Sequence, residues 1–334
     1  MKRPHVLIIS PALAEANNGN WQTAWRWSRL LHPLFRTTIA SQWQGEAADV
    51  MLALHARKSA DAALAWAQAK GAAQLAVVLT GTDLYRDIQT DLSAQRALQL
   101  AAQLVLLQER GPQALPQALR HKAQVIFQSA PRRATLNKTD RHLRALMVGH
   151  LRDEKAPLTY LRAAARLAIR PDIYLDHIGA ALDPALGQAA QLAASCYSHY
   201  RWLGGLPHAQ TRSHLQRAHL LVHPSKMEGG AQVILEAVQS GTPVLASRID
   251  GNVGMLGPDY AGYFALGDDD ALAALLQRCR DDADFLPLLR QQCEARAYLF
   301  EPQREQTLLR QLVTALLAAR VAEPHNLTLQ WNTT

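Results

Sequence analysis

The chain has 334 residues, 49% of them hydrophobic, with 35 lysines and arginines against 28 aspartates and glutamates, a formal net charge of +7. That length suits about two domains, each with material for a core, and the positive balance favours anionic partners: nucleic acid, anionic lipid or phosphorylated small molecules. Cys196, Cys279 and Cys293 form no CxxC pair, which argues against a disulfide framework or a zinc site, and no run approaches the ~20 apolar residues of a membrane span.

The N-terminal "MKRPHVLIIS" is basic then apolar, like a signal peptide. Its apolar run is too short for one and reads better as a first strand over 5–10, so a reducing cytoplasm is the default location. Further buried strands are expected at 49–56, 75–81, 104–109 and 124–130, with helical spacing over 20–31 and 59–71 between them. Trp21 and Trp25 share one face of the first helix by their spacing, which predicts that they pack on the sheet as core rather than serve as a sugar platform. The polar stretch 132–142 is the best boundary. Residues 131–155 hold seven lysines and arginines against three acids, which fits a solvated linker or a cleft-facing anion funnel. A second series follows at 144–150, 172–179, 201–205, 220–225 and 243–247, and the last clear helix covers 303–320. Strand–helix alternation in two series argues for an α/β protein of two doubly wound, Rossmann-like domains facing a cleft. The expected division is 1–143 and 144–302, with helix 303–320 able to return to the first domain.

Ligands of such sheets bind beyond the carboxyl ends of the strands, which directs attention to "KMEGGAQVILEAVQSGTPVLAS" at 226–247. A strand ending at Ser225 leads through a loop into a helix that Gly241 is placed to end. Gly229, Gly230 and Ala231 bring backbone amides to a helix N-terminus, an anion site to which Lys226 adds charge. Glu228 sits in its mouth. Glu236, about two turns into the helix, can accept hydrogen bonds from two vicinal hydroxyls such as a ribose offers. The plainer alternative is a helix-terminal acid with one solvated glutamate.

"EGGAQVILEAVQSGTPVLAS" resembles the E-x7-E signature of family 4 glycosyltransferases, which have the GT-B fold; "VGHLRDEK" at 148–155 and "GDDDALAALL" at 267–276 fit the same family. The resemblance implies a UDP-sugar donor, Glu236 on the ribose, Glu228 on the transferred sugar and Lys155 on the diphosphate. The family usually has arginine where His150 stands, and Arg152 is the candidate to compensate. "NGNWQTAWRW", "LHARKS", "TGTDLY" and "GHLRDEK" are similar to the selenosugar synthase group, which joins a UDP-sugar (N-acetylglucosamine or glucose) to selenophosphate through a carbon–selenium bond. In that reading Asn18, Gly19 and Asn20 replace the family's usual glycine pair after the first strand and serve the acceptor.

Thr80, Thr82 and Asp83 follow a strong strand, so they are placed to bind an acceptor; residues of these types also favour helix N-caps. His55 ends another strand, where a structural hydrogen bond is as natural as a catalytic one. Asp268, Asp269 and Asp270 fit a metal-binding DxD pattern, but they directly precede a helix, where acids suit the dipole. With no other ligand cluster, no metal and no cofactor are expected. A hydride-transferring Rossmann enzyme lacks its G-x-G-x-x-G after the first strand. A GT-B isomerase of nucleotide sugars and a non-catalytic sugar-nucleotide binder share the donor site, and acceptor-dependent UDP release separates both from a transferase. Nucleic-acid binding is the weakest reading, since the charge is scattered and no stacking motif appears.

Overall fold

The computed structural model describes residues 3–13 and 19–322. In chain order its first half carries β1 (His5–Ile9), α1 (Gly19–Leu31), β2 (Arg36–Ala40), β3 (Val50–Leu54), α2 (Ala60–Lys70), β4 (Leu75–Leu79), α3 (Ile88–Thr90), α4 (Leu92–Leu100), β5 (Gln103–Leu106), α5 (Gly111–Ala114) and β6 (Ala123–Val125). The second half carries β7 (Leu143–Val148), α6 (Pro157–Arg166), β8 (Ile173–Ile178), α7 (Pro184–Cys196), β9 (Tyr200–Trp202), α8 (His208–Arg217), β10 (Leu220–His223) and α9 (Gln232–Val238). It continues through β11 (Val244–Ser247), α10 (Asp250–Leu256), β12 (Tyr263–Phe264), α11 (Asp269–Asp281), α12 (Phe285–Glu294) and α13 (Pro302–Ala322).

The strands form two parallel six-stranded sheets, β2-β1-β3-β4-β5-β6 and β12-β11-β10-β7-β8-β9. β1, β3 and β4 are buried at every position, as strands covered by helices on both faces must be. The first order is the flavodoxin type. Numbered within itself, the second is 3-2-1-4-5-6, the doubly wound dinucleotide-binding type. Its order reverses between β7 and β10, so the crevice for a ligand lies between the loops that follow those two strands.

β2 was not expected. Its sequence, Arg-Thr-Thr-Ile-Ala, is half-exposed at the sheet edge and lacks the apolar run of a central strand. β6 ends at Val125, short of the expected 130, because the chain there leaves the sheet to cross to the second half. On α1 the buried positions are Thr23, Ala24, Trp27 and Leu31. Trp27 therefore enters the core and Trp25 stays 45% exposed under the Arg29 guanidinium, contrary to the Trp21–Trp25 pairing. The stripe that faces the sheet runs through Ala24, Trp27 and Leu31 at three- and four-residue spacing.

The chain passes between halves twice. On the first passage Phe127 packs edge-on against Phe300 at 5.6 Å, and the Ala130 amide donates to the Phe300 carbonyl. On the second, α13 returns across the first sheet. Leu309, Leu312, Val313 and Leu316 pack with Val6, Ile8, Trp27 and Leu31. Glu305 of α13 is fully buried and accepts from Trp27 Nε1 at 2.7 Å, from Arg26 Nε at 3.0 Å and from the Ser129 hydroxyl. A buried carboxylate is tolerable because its oxygens are met by a cation and two further donors. Among the described residues no helix is long and apolar enough to cross a membrane.

Candidate active site

The loops after β7 and β10 meet at the reversal of the second sheet. Beyond β7 come Gly149 and His150, then a single turn over Asp153–Lys155. Ala156 follows in left-handed conformation at φ 46° and starts α6 at Pro157. That conformation costs a non-glycine residue about 1 kcal/mol or more, and here it aims Lys155 across the crevice. Lys155 Nζ donates to Glu228 Oε1 at 2.5 Å, with the two side chains 19% and 12% exposed. Burial works to raise the Glu228 pKa, but Lys155 and then His223 outweigh it and hold the carboxyl well below the usual range. His223, the last residue of β10, is 1% exposed, with Nε2 3.2 Å from the same oxygen. Burial lowers its pKa more than Glu228 raises it, so the ring is neutral at pH 7.

The other basic residues here are committed differently. Lys226 Nζ reaches Asp153, and its amide donates to the Glu154 carbonyl, so it fastens the two loops together rather than lying free beside the glycines. His150 Nδ1 accepts from the Ala180 amide; burial, Arg152 and Lys155 lower its pKa, so it supplies no fixed charge where the family's arginine would. Arg152 is solvent-exposed, 3.9 Å from Glu154.

The glycine loop is pressed against the first half. A Cβ on Gly229 would lie 2.3 Å from the Thr80 carbonyl carbon, and Gly81, facing it, has φ 142°, open only to glycine. The loops of opposite halves thus touch backbone to backbone. The Ala231 amide is turned to Met255 Sδ at 3.1 Å. α9 begins at Gln232, so Glu236 stands just past its first turn, closer to the N-terminus than its expected depth of two turns. Glu236 is 3% exposed, and its Oε1 accepts from His208 Nε2 at 2.7 Å, with Arg212 Nη1 at 3.5 Å. Both partners come from α8. Sequence reasoning missed them, although their i, i+4 spacing marks one helix face. It also missed His223, which reads as one more strand residue.

On the facing loops, Asp83 is fully buried. It accepts from the amides of Thr80 (2.9 Å), Gly81 (2.8 Å) and Ala56 (2.8 Å), which braces the end of β4 against the end of β3. His55, also left-handed at φ 72°, points Nε2 at the Thr82 hydroxyl (3.2 Å) and accepts the Lys58 amide on Nδ1. Burial lowers its pKa against the pull of Asp83. Gly19 and Asn20 open α1, whose Arg26 reaches Gln232 of α9; Asn18 lies outside the described residues. Of the acidic triplet, Asp268 caps α11 by accepting the Ala271 amide, while Asp269 and Asp270 pair with Arg166. Among the described residues no group of three or more histidines, cysteines or carboxylates is arranged to hold a metal. The expected anion funnel at 131–155 is split: Lys155 and Arg152 border the crevice, but Lys138 and Arg144 line a chamber on another part of the second sheet.

Two facing doubly wound sheets, with a cation–carboxylate pair at the reversal of the second, define the GT-B architecture of sugar-transferring enzymes. The family model for glycosyl transferases group 1 matches residues 128–300, and the chain belongs to that family. Sucrose-phosphate synthase from Thermosynechococcus elongatus superposes with a TM-score of 0.76 at 17% identity, over 95% of this chain and 100% of that one. Anabaena HepE in complex with UDP-glucose gives 0.71 at 16% identity, covering 94% and 99%. A glycosyltransferase from Rickettsia africae gives 0.72 at 13%, covering 95% and 99%.

Proposed function

We propose that the protein transfers a sugar from a UDP-sugar, N-acetylglucosamine or glucose, to selenophosphate, as a family 4 enzyme of the selenosugar-synthase type. The donor half rests on one observation: Lys155 and Glu228 converge at the reversal of the second sheet, with Glu236 eight residues further on at a buried helix position. In this reading Glu236 exchanges His208 for the ribose hydroxyls. Glu228 accepts from a hydroxyl of the sugar. Lys155, with the amides of Gly229 and Gly230, faces the diphosphate, whose charge grows as it leaves. Arg152 adds charge from the rim, and neutral His150 can donate from Nε2. HepE, a structural relative of the same fold, is described with UDP-glucose bound.

The acceptor half rests on the similarity of the first-half motifs and on how that wall is built. Asp83 and His55 are buried and occupied by the loops' own donors and acceptors, so neither is poised to take a proton. A sugar hydroxyl wants such a base; an anionic, polarisable selenium does not. A selenium lone pair attacks the anomeric carbon as the bond from that carbon to UDP breaks, and the electron pair leaves on the β-phosphoryl oxygen. No metal takes part: Lys155 and backbone amides neutralise the leaving group. Thr80, Thr82, Gly19 and Asn20 border the acceptor.

The test is a competition. The protein is incubated with UDP-N-acetylglucosamine or UDP-glucose and selenophosphate, thiophosphate or a sugar phosphate, with UDP release followed and products weighed by mass spectrometry. A selenium-bearing sugar formed only with selenophosphate is expected. Efficient transfer to a hydroxyl with selenophosphate inert would leave a group 1 enzyme of ordinary acceptor chemistry.

A further inference from the structure

A second cationic site lies away from the crevice. A chamber of about 300 Å³ opens between the polar crossing segment, the face of β7–β9 and the end of α8. Its walls include Lys138, Arg144, Arg201 and Arg217, with Asp176 as the carboxylate among them. Arg144 Nη1 and Arg201 Nε reach Asp176 at 3.0 and 2.8 Å, so one carboxylate serves two guanidiniums. Four cations against one acid leave an excess of three charges. Lys138 Nζ is buried with no hydrogen-bond partner among the described residues, and burial together with Arg290 pushes its pKa down to about 8. Unmet donors of this kind are uncommon in folded proteins and call for an explanation, of which an anion nearby is one.

A plainer account covers only part of this. Cations in the last turn of α8 suit the helix dipole, which explains His214 and Arg217. It does not explain Arg144 and Arg201, which stand on strands. Nor do these residues serve the transfer: Arg144 stands near the start of β7, and the four strand steps to Val148 alone carry the chain about 13 Å before the loop that holds His150. His219 forms a fixed wall, donating from Nε2 to the Thr139 carbonyl and accepting the Arg144 amide on Nδ1. A second hollow of about 340 Å³ continues along α8, sharing His214 and Arg217 and adding Gln210 and Ser213. An anion-binding end thus opens into a groove of uncharged hydrogen-bonding groups.

We infer that this is a binding site for a phosphorylated small molecule of sugar-phosphate size, separate from the transfer site. The phosphate sits among Arg144, Arg201 and Arg217. The polar body lies along α8 beside Gln210 and Ser213, whose side chains suit hydroxyls.

The experiment is calorimetric titration of the full chain with glucose 6-phosphate under saturating UDP, which removes the diphosphate position of the crevice from competition. Glucose and inorganic phosphate are the comparison probes. Arg217 is exposed and makes no described ion pair, so Arg217→Glu should fold normally and leave UDP affinity unchanged. We expect glucose 6-phosphate to bind, glucose not to bind, and Arg217→Glu to weaken binding at least tenfold. Absence of binding at millimolar concentration overturns the inference, as does binding that Arg217→Glu leaves intact or that glucose matches. Because UDP affinity is read in the same samples, failure here stays distinct from failure of the donor assignment.

Discussion

Removing the Lys155 ammonium tests the pair at the heart of the crevice. At an effective dielectric of about 20, unit charges 2.5 Å apart attract by about 7 kcal/mol, and desolvation of both ions offsets much of that. The mutant, however, keeps the desolvation cost of Glu228 and loses its cation. Such half-broken pairs cost about 3–5 kcal/mol, and the residual exposure here puts Lys155→Met at about 3 kcal/mol. The loss depends on pH. In the wild type the folded carboxyl titrates below its ordinary value of 4.5, so its stabilising contribution is present above that value and fades as pH falls through the depressed folded pKa. Without Lys155, burial pushes the carboxyl up, and folding is penalised once pH exceeds the ordinary value. Urea unfolding followed by circular dichroism should therefore show a large deficit near pH 7 that shrinks toward about pH 3. Lys155→Met/Glu228→Gln should recover most of it. An equal deficit at both pH values, or no recovery in the double variant, would refute the reasoning.

Glu236→Ala should weaken UDP binding by about 1–3 kcal/mol, the usual cost of losing a charge-assisted hydrogen bond; unchanged affinity by calorimetry would remove Glu236 from the site. Turnover should survive excess EDTA, and loss restored by manganese or magnesium would return Asp268–Asp270 to consideration as ligands. Gly229→Ala must part the two loops, because its Cβ would stand 2.3 Å from Thr80; we expect about 1–3 kcal/mol of destabilisation, read in the same urea assay.

What could be read from sequence was what one segment encodes by itself. Runs such as Leu75–Leu79 are apolar at every position because helices cover both sides, and they announce themselves. β2 and β12 do not: one is a half-polar edge, and the other is two residues long. Glu228 and Glu236 stand out because a glycine loop and a helix fix their spacing. The groups that tune them come from elsewhere. His223 is a strand residue that happens to face Glu228, and His208 and Arg212 reach Glu236 from a separate helix. The tryptophans show the limit of spacing alone, since which face of α1 turns inward is decided by α13, nearly 280 residues away.

The carboxylate of Glu305 has a mechanical consequence. It grips α1 and the outgoing strand of chain through Ser129, while belonging to the helix on which the chain comes back. Two tethers between rigid bodies at separate points would forbid rotation; pinned side by side, with Phe127 against Phe300, they make a fulcrum. Sliding of one half over the other would pull on both tethers at once. At the far end Gly81 and Gly229 meet backbone to backbone, but Arg86 with Glu154, Glu109 with Arg296 and Arg26 with Gln232 tie the same two halves, so a swing has to release these side chains as well.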